Sequence, residues 1–171
     1  MSNKKFPRIY SLSTVGIRNH YNSDYRFHPF RTDFAGDSGV GKSIIADVLQ
    51  LILVGEREFK SATDSSSERE ARKLIIERYG YVFLNIAIDT DKFIVIGMYI
   101  STTSIDPFII QANIGLDVFE PLSSPLISKD FMLGDEIIDI TNLPERMKEN
   151  KQAYAAKLSL NKYHESVSYT I

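Results

Sequence analysis

The chain has 171 residues, enough for one domain with a substantial hydrophobic core. It has no cysteine, which excludes disulfides and cysteine-ligated zinc or iron–sulfur sites, and its three histidines lack the close spacing of a histidine metal site. The formal net charge of −2 is uneven: residues 1–31 hold six lysines and arginines against one aspartate, or +5, which leaves −7 for the remainder. Such a basic segment can contact phosphates, although an ordinary solvated surface is the simpler interpretation.

The sequence gives no sign of membrane association. No uninterrupted apolar stretch reaches the ~18 residues of a membrane-spanning helix, and the first residues, MSNKKFPRIYS, do not resemble a signal peptide. We therefore expect a cytoplasmic protein with one domain, no internal repeat and no membrane partner.

The first third of the chain predicts two strands followed by a helix. Residues 8–17 and 25–35 have β-rich composition with loose alternation, and the polar NHYNSD between them (residues 19–24) favours a turn. Residues 43–54, SIIADVLQLILV, are too long and too apolar for a surface strand, and Gly55 follows as a stop signal. This segment predicts a mostly buried helix.

The rest of the chain predicts a polar loop, a hairpin and a late helix. Residues 63–70, TDSSSERE, favour a mobile loop, and residues 69–80 allow either a short helix or a loop leading into a strand. Strands are predicted at 81–89 and 92–100, joined by a two-residue turn, and at 106–115. A helix should begin near Pro144, with Asn142 as its cap.

Residues 36–43 form the most informative motif. They match G-x-x-x-x-G-K-[ST], the pattern of a phosphate-binding loop, and they precede the predicted apolar helix. Glycines let backbone amides crowd around phosphates, the lysine supplies a charge to the β- and γ-phosphates, and the serine hydroxyl binds Mg²⁺. The predicted nucleotide-binding residues are Gly36, Asp37, Ser38, Gly39, Val40, Gly41, Lys42 and Ser43, with Ser43 also a magnesium ligand.

Two known classes share this motif and match the remaining sequence poorly. In a small GTPase, N-K-x-D reads guanine, but NKYH at 161–164 places His164 where the aspartate belongs. The D-x-x-G at 33–36 precedes the lysine and cannot be the switch of that family. HPr kinase has a similar loop, yet the sequence after the loop helix differs. Both enzymes remain alternatives.

The stretch FAGDSGVGKSIIADVLQLILVG (residues 34–55) resembles the N-terminal lobe of SMC-like ATPases, the group that includes RecF and the SbcC-type ATPases. The likeness lies in the glycine loop and in a helix of the type S-x-I-I-D-A, although Asp47 stands one place later than is common. The segment 56–63 contains two basic residues and a serine, and it stands where chains of this family often approach the nucleotide again. The predicted hairpin matches the β-subdomain of the family in layout. The resemblance extends over residues 8–115.

This resemblance implies an α/β fold: a P-loop NTPase-like lobe with a mixed β-sheet, a P-loop helix and a β-hairpin subdomain. It implies ATP and Mg²⁺ as cofactors, and DNA as a partner in repair, chromosome maintenance or defence against phage. Gln111, at the end of a predicted strand, is the candidate for the family's magnesium-contacting glutamine, with an ordinary strand residue as the alternative.

The motifs that such ATPases use for hydrolysis are absent. A Walker B strand ends in Asp-Glu after four apolar residues, and the signature motif reads S-G-G, but neither stands in this sequence. Asp89, and Asp135 with Glu136, are the nearest candidates, and hairpin turns explain both more simply. We therefore expect an incomplete lobe, an ATPase only when a C-terminal lobe or second subunit completes it. The alternative of another class is a non-catalytic interaction module.

Overall fold

The structure is a computed structural model that describes residues 5–36, 41–57, 59, 71–112, 120–143, 145, 146 and 157–159. The elements in chain order are β1 (Arg8–Ile17), β2 (His20–Arg26), α1 (Lys42–Val54), a 3₁₀-helix (Ala71–Leu74), β3 (Tyr79–Asp89), β4 (Lys92–Ser101), β5 (Ile105–Gln111), a second 3₁₀-helix (Ser128–Phe131), β6 (Met132–Leu133), β7 (Glu136–Ile137) and β8 (Lys157–Ser159). Six strands form one sheet in the order β2-β1-β3-β4-β5-β8, and β6 and β7 form a separate hairpin.

The fold is α/β, but the predicted mixed sheet is wrong for the described residues, since every described strand pair is antiparallel. A P-loop NTPase places its loop between a strand and a helix, within a parallel sheet. Here the segment before the loop, residues 27–36, is not a strand. Its side chains Phe27 and Phe34 are instead partly buried against the core cluster that includes α1, with their ring centroids 5.9 Å apart. The sheet therefore does not match a P-loop NTPase.

Several predicted elements are confirmed. The helix at 43–54 is α1, ending at Gly55, and the strand at 8–17 is β1. The hairpin is β3 and β4, turning at Thr90 and Asp91, where Asp91 has a φ of 53°. The third strand is β5, which ends at Gln111.

The second predicted strand was misplaced. The chain reverses at residues 18 and 19, where Asn19 has a φ of 64°, and β2 begins at His20 opposite Ile17. The polar residues of NHYNSD lie mostly in β2, at the edge of the sheet, where Asn22 and Asp24 are exposed. Their polarity reflects this edge position and not a turn.

The later predictions are only partly covered by the described residues. Within 69–80 the structure has part of each alternative: a 3₁₀-helix that ends at Leu74, well before Gly80, and irregular residues that lead into β3 at Tyr79. Leu143, Glu145 and Arg146 lie in a helical turn close to the predicted start at Pro144. The continuation of that helix to residue 156, the loop at 63–70 and His164 lie outside the described residues.

The sheet is covered on both faces. On the helix face, defined here by Leu12, Val82, Leu84 and Met98, the sheet packs against the apolar side of α1. On the aromatic face, defined by Tyr81, Phe83, Phe108 and Tyr99, it packs against residues 122–143. Because β3 is central, most of its residues are buried, which explains its nearly continuous apolar sequence. Among the described helices, none combines the length and the apolar character needed to cross a membrane.

Candidate phosphate-binding loop

The end of the glycine loop is held at the start of α1 by a glycine that no other residue can replace without strain. Gly41 caps the helix with φ 89° and ψ 22°, in the left-handed region, and its carbonyl accepts a hydrogen bond from the Ile44 N–H at 3.1 Å. A Cβ at this position would lie 2.7 Å from the Cβ of Asn19 and 2.8 Å from Nε2 of His20. The motif glycine is therefore required both by its dihedral angles and by the close approach of the β1–β2 turn.

Lys42 contacts the first glycine of the motif. Its Nζ donates a hydrogen bond to the carbonyl of Gly36, so the first and last glycines of the motif are joined through the lysine. Both Lys42 and Ser43 are exposed at the first turn of α1, and that turn carries no acidic side chain. The first N–H groups of a helix lack intrahelical partners and carry partial positive charge. The described part of the motif thus places an ammonium group and a hydroxyl at the amide end of a helix, an arrangement suited to binding an anion.

His20 connects this helix end to the sheet. Its ring is buried, and Nε2 lies 2.8 Å from the carbonyl of Gly41, which can only accept a hydrogen bond, so Nε2–H is the donor. Nδ1 lies 2.5 Å from the hydroxyl of Tyr25, which can then donate to it. The Tyr25 ring meets Phe34 edge to face, with ring centroids 5.6 Å apart. The chain from Phe34 through Tyr25 and His20 to Gly41 anchors both sides of the loop.

Sequence reasoning missed this anchor. His20 was weighed only as a metal ligand, and it lies 21 residues before Gly41 with no local pattern linking them. The position of His20 just after the predicted strand 8–17 was the one available signal. It was overlooked because His20 was assigned to a turn at residues 19–24. Of the eight predicted loop residues, Gly36, Gly41, Lys42 and Ser43 are brought together, and the four at 37–40 lie outside the described residues.

The structure does not bring Gln111 to the loop. Ile110 pairs with Val95, and the register through β4 and β3 places Gln111 level with Ile9 in β1. Gly41 contacts the other end of β1, about eight residues or roughly 26 Å away along the strands. The side-chain Oε1 of Gln111 instead accepts a hydrogen bond from the Glu120 N–H at 3.3 Å. Its position favours the alternative of an ordinary strand residue.

The candidate catalytic carboxylates are also remote from Lys42. Asp89 ends β3 at the same far end as Gln111, and its Oδ1 accepts a hydrogen bond from the Thr90 N–H at 2.7 Å within the hairpin turn. Asp135 and Glu136 are exposed in the turn of the β6–β7 hairpin, which packs on the aromatic face, opposite α1. Both sites are therefore turns, as the simpler interpretation predicted.

Comparison of the chain with protein-family models, with curated proteins and with solved structures finds no match in any of the three.

Proposed function

We propose that residues 36–43 bind the phosphates of Mg·ATP, and that the chain acts as the N-terminal lobe of an SMC-like ATPase. The observation that carries the phosphate site is the contact of Lys42 with the Gly36 carbonyl at the start of a helix whose cap is a left-handed glycine. A lysine whose partner is a neutral carbonyl can exchange that acceptor for a phosphate oxygen, which is a stronger partner for an ammonium group.

Each described residue has a part in this binding. Lys42 neutralises phosphate charge, the amides at the start of α1 donate to phosphate oxygens, and the Ser43 hydroxyl contacts Mg²⁺, which balances the remaining charge. His20 holds the Gly41 carbonyl away from the ligand, so that the amide side of the turn faces the phosphates. The lobe and its DNA partner rest on the sequence resemblance alone.

Binding without turnover is the expected behaviour of this chain by itself. Asp89, Asp135 and Glu136 lie at the far end or on the opposite face of the sheet, so none of them can reach a nucleotide held by Lys42 in this arrangement. Hydrolysis would require carboxylates from a C-terminal lobe or second subunit. Rapid ATP turnover by the purified chain that disappears in Lys42→Ala would refute this part of the proposal.

The test is a titration of the folded chain with Mg·ATP and Mg·GTP. We expect ATP to bind more tightly, and Lys42→Ala to weaken binding at least about tenfold, equivalent to about 1.4 kcal/mol. Lys129→Ala is the matched control, because Lys129 is also exposed but lies in the segment that covers the aromatic face. Equal binding by wild type and Lys42→Ala would refute the site, and a preference for GTP would favour the GTPase alternative.

DNA contact needs its own measurement. Filter binding of duplex DNA at two salt concentrations should show binding that weakens as salt rises, because phosphate contacts release counterions. No binding at low salt would argue against DNA contact by this lobe alone.

A non-catalytic interaction module is the second candidate, and the antiparallel sheet favours it. On this hypothesis the loop is a structural connection between β2 and α1. The folded chain would then bind neither nucleotide, and Lys42→Ala would leave its interactions unchanged.

A further inference from the structure

A cavity of about 530 Å³ lies at the end of the sheet opposite the glycine loop. It is bordered by the start of β1, the end of β2 and the β3–β4 turn, and the residues that matter for its chemistry are Arg8, Tyr10, Arg26, Phe93, Asp89 and Asp91. This volume is in the range of small-molecule sites. All of these residues belong to the described part of the chain, and neither the proposed nucleotide site nor the core uses the two arginines.

Arg8 is the first reason to expect an anionic ligand. Its Nε and Nη1 are buried, and no acceptor in the described chain pairs with them. No described carboxylate forms an ion pair with Arg8. The ion pair seen among the described residues joins Arg31 and Asp33. A partly buried guanidinium without a counter-charge raises the local affinity for an anion.

The second reason is that both guanidinium groups lie over one aromatic ring. The Cζ atoms of Arg8 and Arg26 are 5.4 and 4.5 Å from the ring centroid of Tyr10. Two positive charges are thereby held beside one ring, where they can attract the same carboxylate or phosphate group. The Tyr10 ring is itself supported edge to face by Phe93, at 5.0 Å between centroids.

We propose that this cavity binds a small organic anion with an aromatic ring, whose phosphate or carboxylate group pairs with Arg8 and Arg26 while its ring packs against the apolar part of the cavity lining. The β3–β4 turn places Asp89 and Asp91 on the same rim. Asp89 accepts the Thr90 N–H in its own turn, and Asp91 is exposed. Because these carboxylates weaken the attraction for anions, charge alone gives little affinity. We therefore expect the cavity to favour an anion whose ring also becomes buried in it.

The site is separable from the glycine loop. Arg8 pairs with Ala87 at one end of the sheet, whereas the loop is anchored at the Asn19–His20 turn at the other. Its test can therefore be done in the Lys42→Ala protein, in which phosphate binding at the loop is removed. Failure at the cavity then says nothing about the loop, and failure at the loop says nothing about the cavity.

The probe is phenyl phosphate, titrated into ¹⁵N-labelled Lys42→Ala protein and followed by amide chemical shifts. We expect saturable shifts centred on residues 87–93, with binding at least about tenfold tighter than that of phenol or inorganic phosphate, since each of these carries only one of the two recognised features. Arg26→Gln, at an exposed position, should weaken binding about tenfold, and so should Arg8→Gln if its spectrum remains native.

Asp91→Asn is the matched control, because it should strengthen phenyl phosphate binding whereas the arginine substitutions should weaken it. Asparagine tolerates the φ of 53° at this position, and the substitution removes one negative charge from the rim. Phenyl phosphate should then bind roughly twofold tighter at low ionic strength. The proposal is overturned by shifts that do not saturate, by undiminished binding in Arg26→Gln, by phenol or inorganic phosphate binding as tightly as phenyl phosphate, or by weaker binding in Asp91→Asn.

Discussion

The two faces of the sheet are covered by different chemistry. Against the helix face, α1 places aliphatic side chains such as Val48 and Leu51, and these contacts are non-directional. Against the aromatic face, residues 122–143 place Phe131, whose ring stacks on Phe83 at 4.4 Å and lies 4.9 Å from Tyr81.

The polar contacts differ in the same way. An α-helix satisfies its own backbone, whereas an irregular segment depends on side chains to satisfy its N–H and C=O groups. The hydroxyls of Tyr79 and Tyr81 donate to the carbonyls of Ile137 and Ile138, and Asn85 exchanges two hydrogen bonds with the backbone of Leu126. The comparison teaches that side-chain hydrogen bonds run along the covering segment on the aromatic face, whereas on the helix side a side-chain hydrogen bond joins His20 to the Gly41 carbonyl at the start of α1.

The largest effect should come from Phe131→Ala. Because Phe131 is fully buried among three aromatic rings, its removal should lower the free energy of unfolding by about 3–5 kcal/mol. Urea denaturation measures this loss, and amide exchange should rise at Leu126 and Ile138 while α1 stays protected. Leu51→Ala, the control on the helix face, should instead expose amides of α1, and an identical exchange pattern in the two variants would contradict the comparison.

Asn85→Leu isolates the polar part of the difference. The substitution keeps the volume but leaves the buried N–H and C=O of Leu126 without partners, so we expect a loss of about 2–4 kcal/mol in the free energy of unfolding. Ser11→Ala removes only one acceptor of Asn85 and should cost about 0.5–1.5 kcal/mol in the same denaturation experiment. If Asn85→Leu leaves the free energy of unfolding unchanged, the hydrogen bonds of Asn85 do not contribute to the stability of the aromatic face.

The next pair of variants is Gly41→Ala and Gly134→Ala. Each replaces a glycine with a left-handed backbone conformation, one on each side of the sheet. Gly134 has a φ of 63° and open space around its Cα, so alanine should cost about 1 kcal/mol in unfolding free energy from backbone strain. Gly41 adds close contacts with Asn19 and His20, which should raise the cost to about 2–3 kcal/mol. Thermal or urea denaturation measures both, and equal costs would mean that the β1–β2 turn yields easily to the new methyl group.

The smallest effect is a pH dependence from Asp130. Burial raises the pKa of its carboxyl above 3.8 and the nearby charge of Asp24 adds to this, although the Ile127 N–H and Arg146 act in the opposite direction. The folded state therefore holds the proton more tightly than the unfolded state. The resulting stability is present below pH 3.8 and is lost as pH rises through the raised pKa.

Asp130→Asn tests this sign, because an amide oxygen can still accept from the Ile127 N–H that now donates to Asp130 at 2.8 Å. Unfolding free energies of both proteins, measured from pH 3 to 7, should show a smaller decline with pH for Asp130→Asn. A difference between the two proteins that stays constant over this range would contradict the raised pKa.

Elements with strong local patterns were predictable. The apolar run ending at Gly55 indicated α1, and two apolar segments around Thr90 and Asp91 indicated the β3–β4 hairpin, because periodicity and turn chemistry act over a few residues. β2 was misplaced because an edge strand with exposed polar residues resembles a turn when its neighbours are unknown. Within the candidate site, the motif identified Lys42 and Ser43, but not the support from His20.

The sequence by itself determined the glycine loop, the helix that follows it, the central hairpin and the absence of cysteine chemistry, since each of these depends on residue type and short-range order. Only the tertiary structure decided that the sheet is antiparallel in every described pair, that Gln111 lies at the far end from Gly41, and that Arg8 and Arg26 meet over Tyr10. These relations join residues far apart in the chain, and strand order and register, not local propensity, bring such residues together.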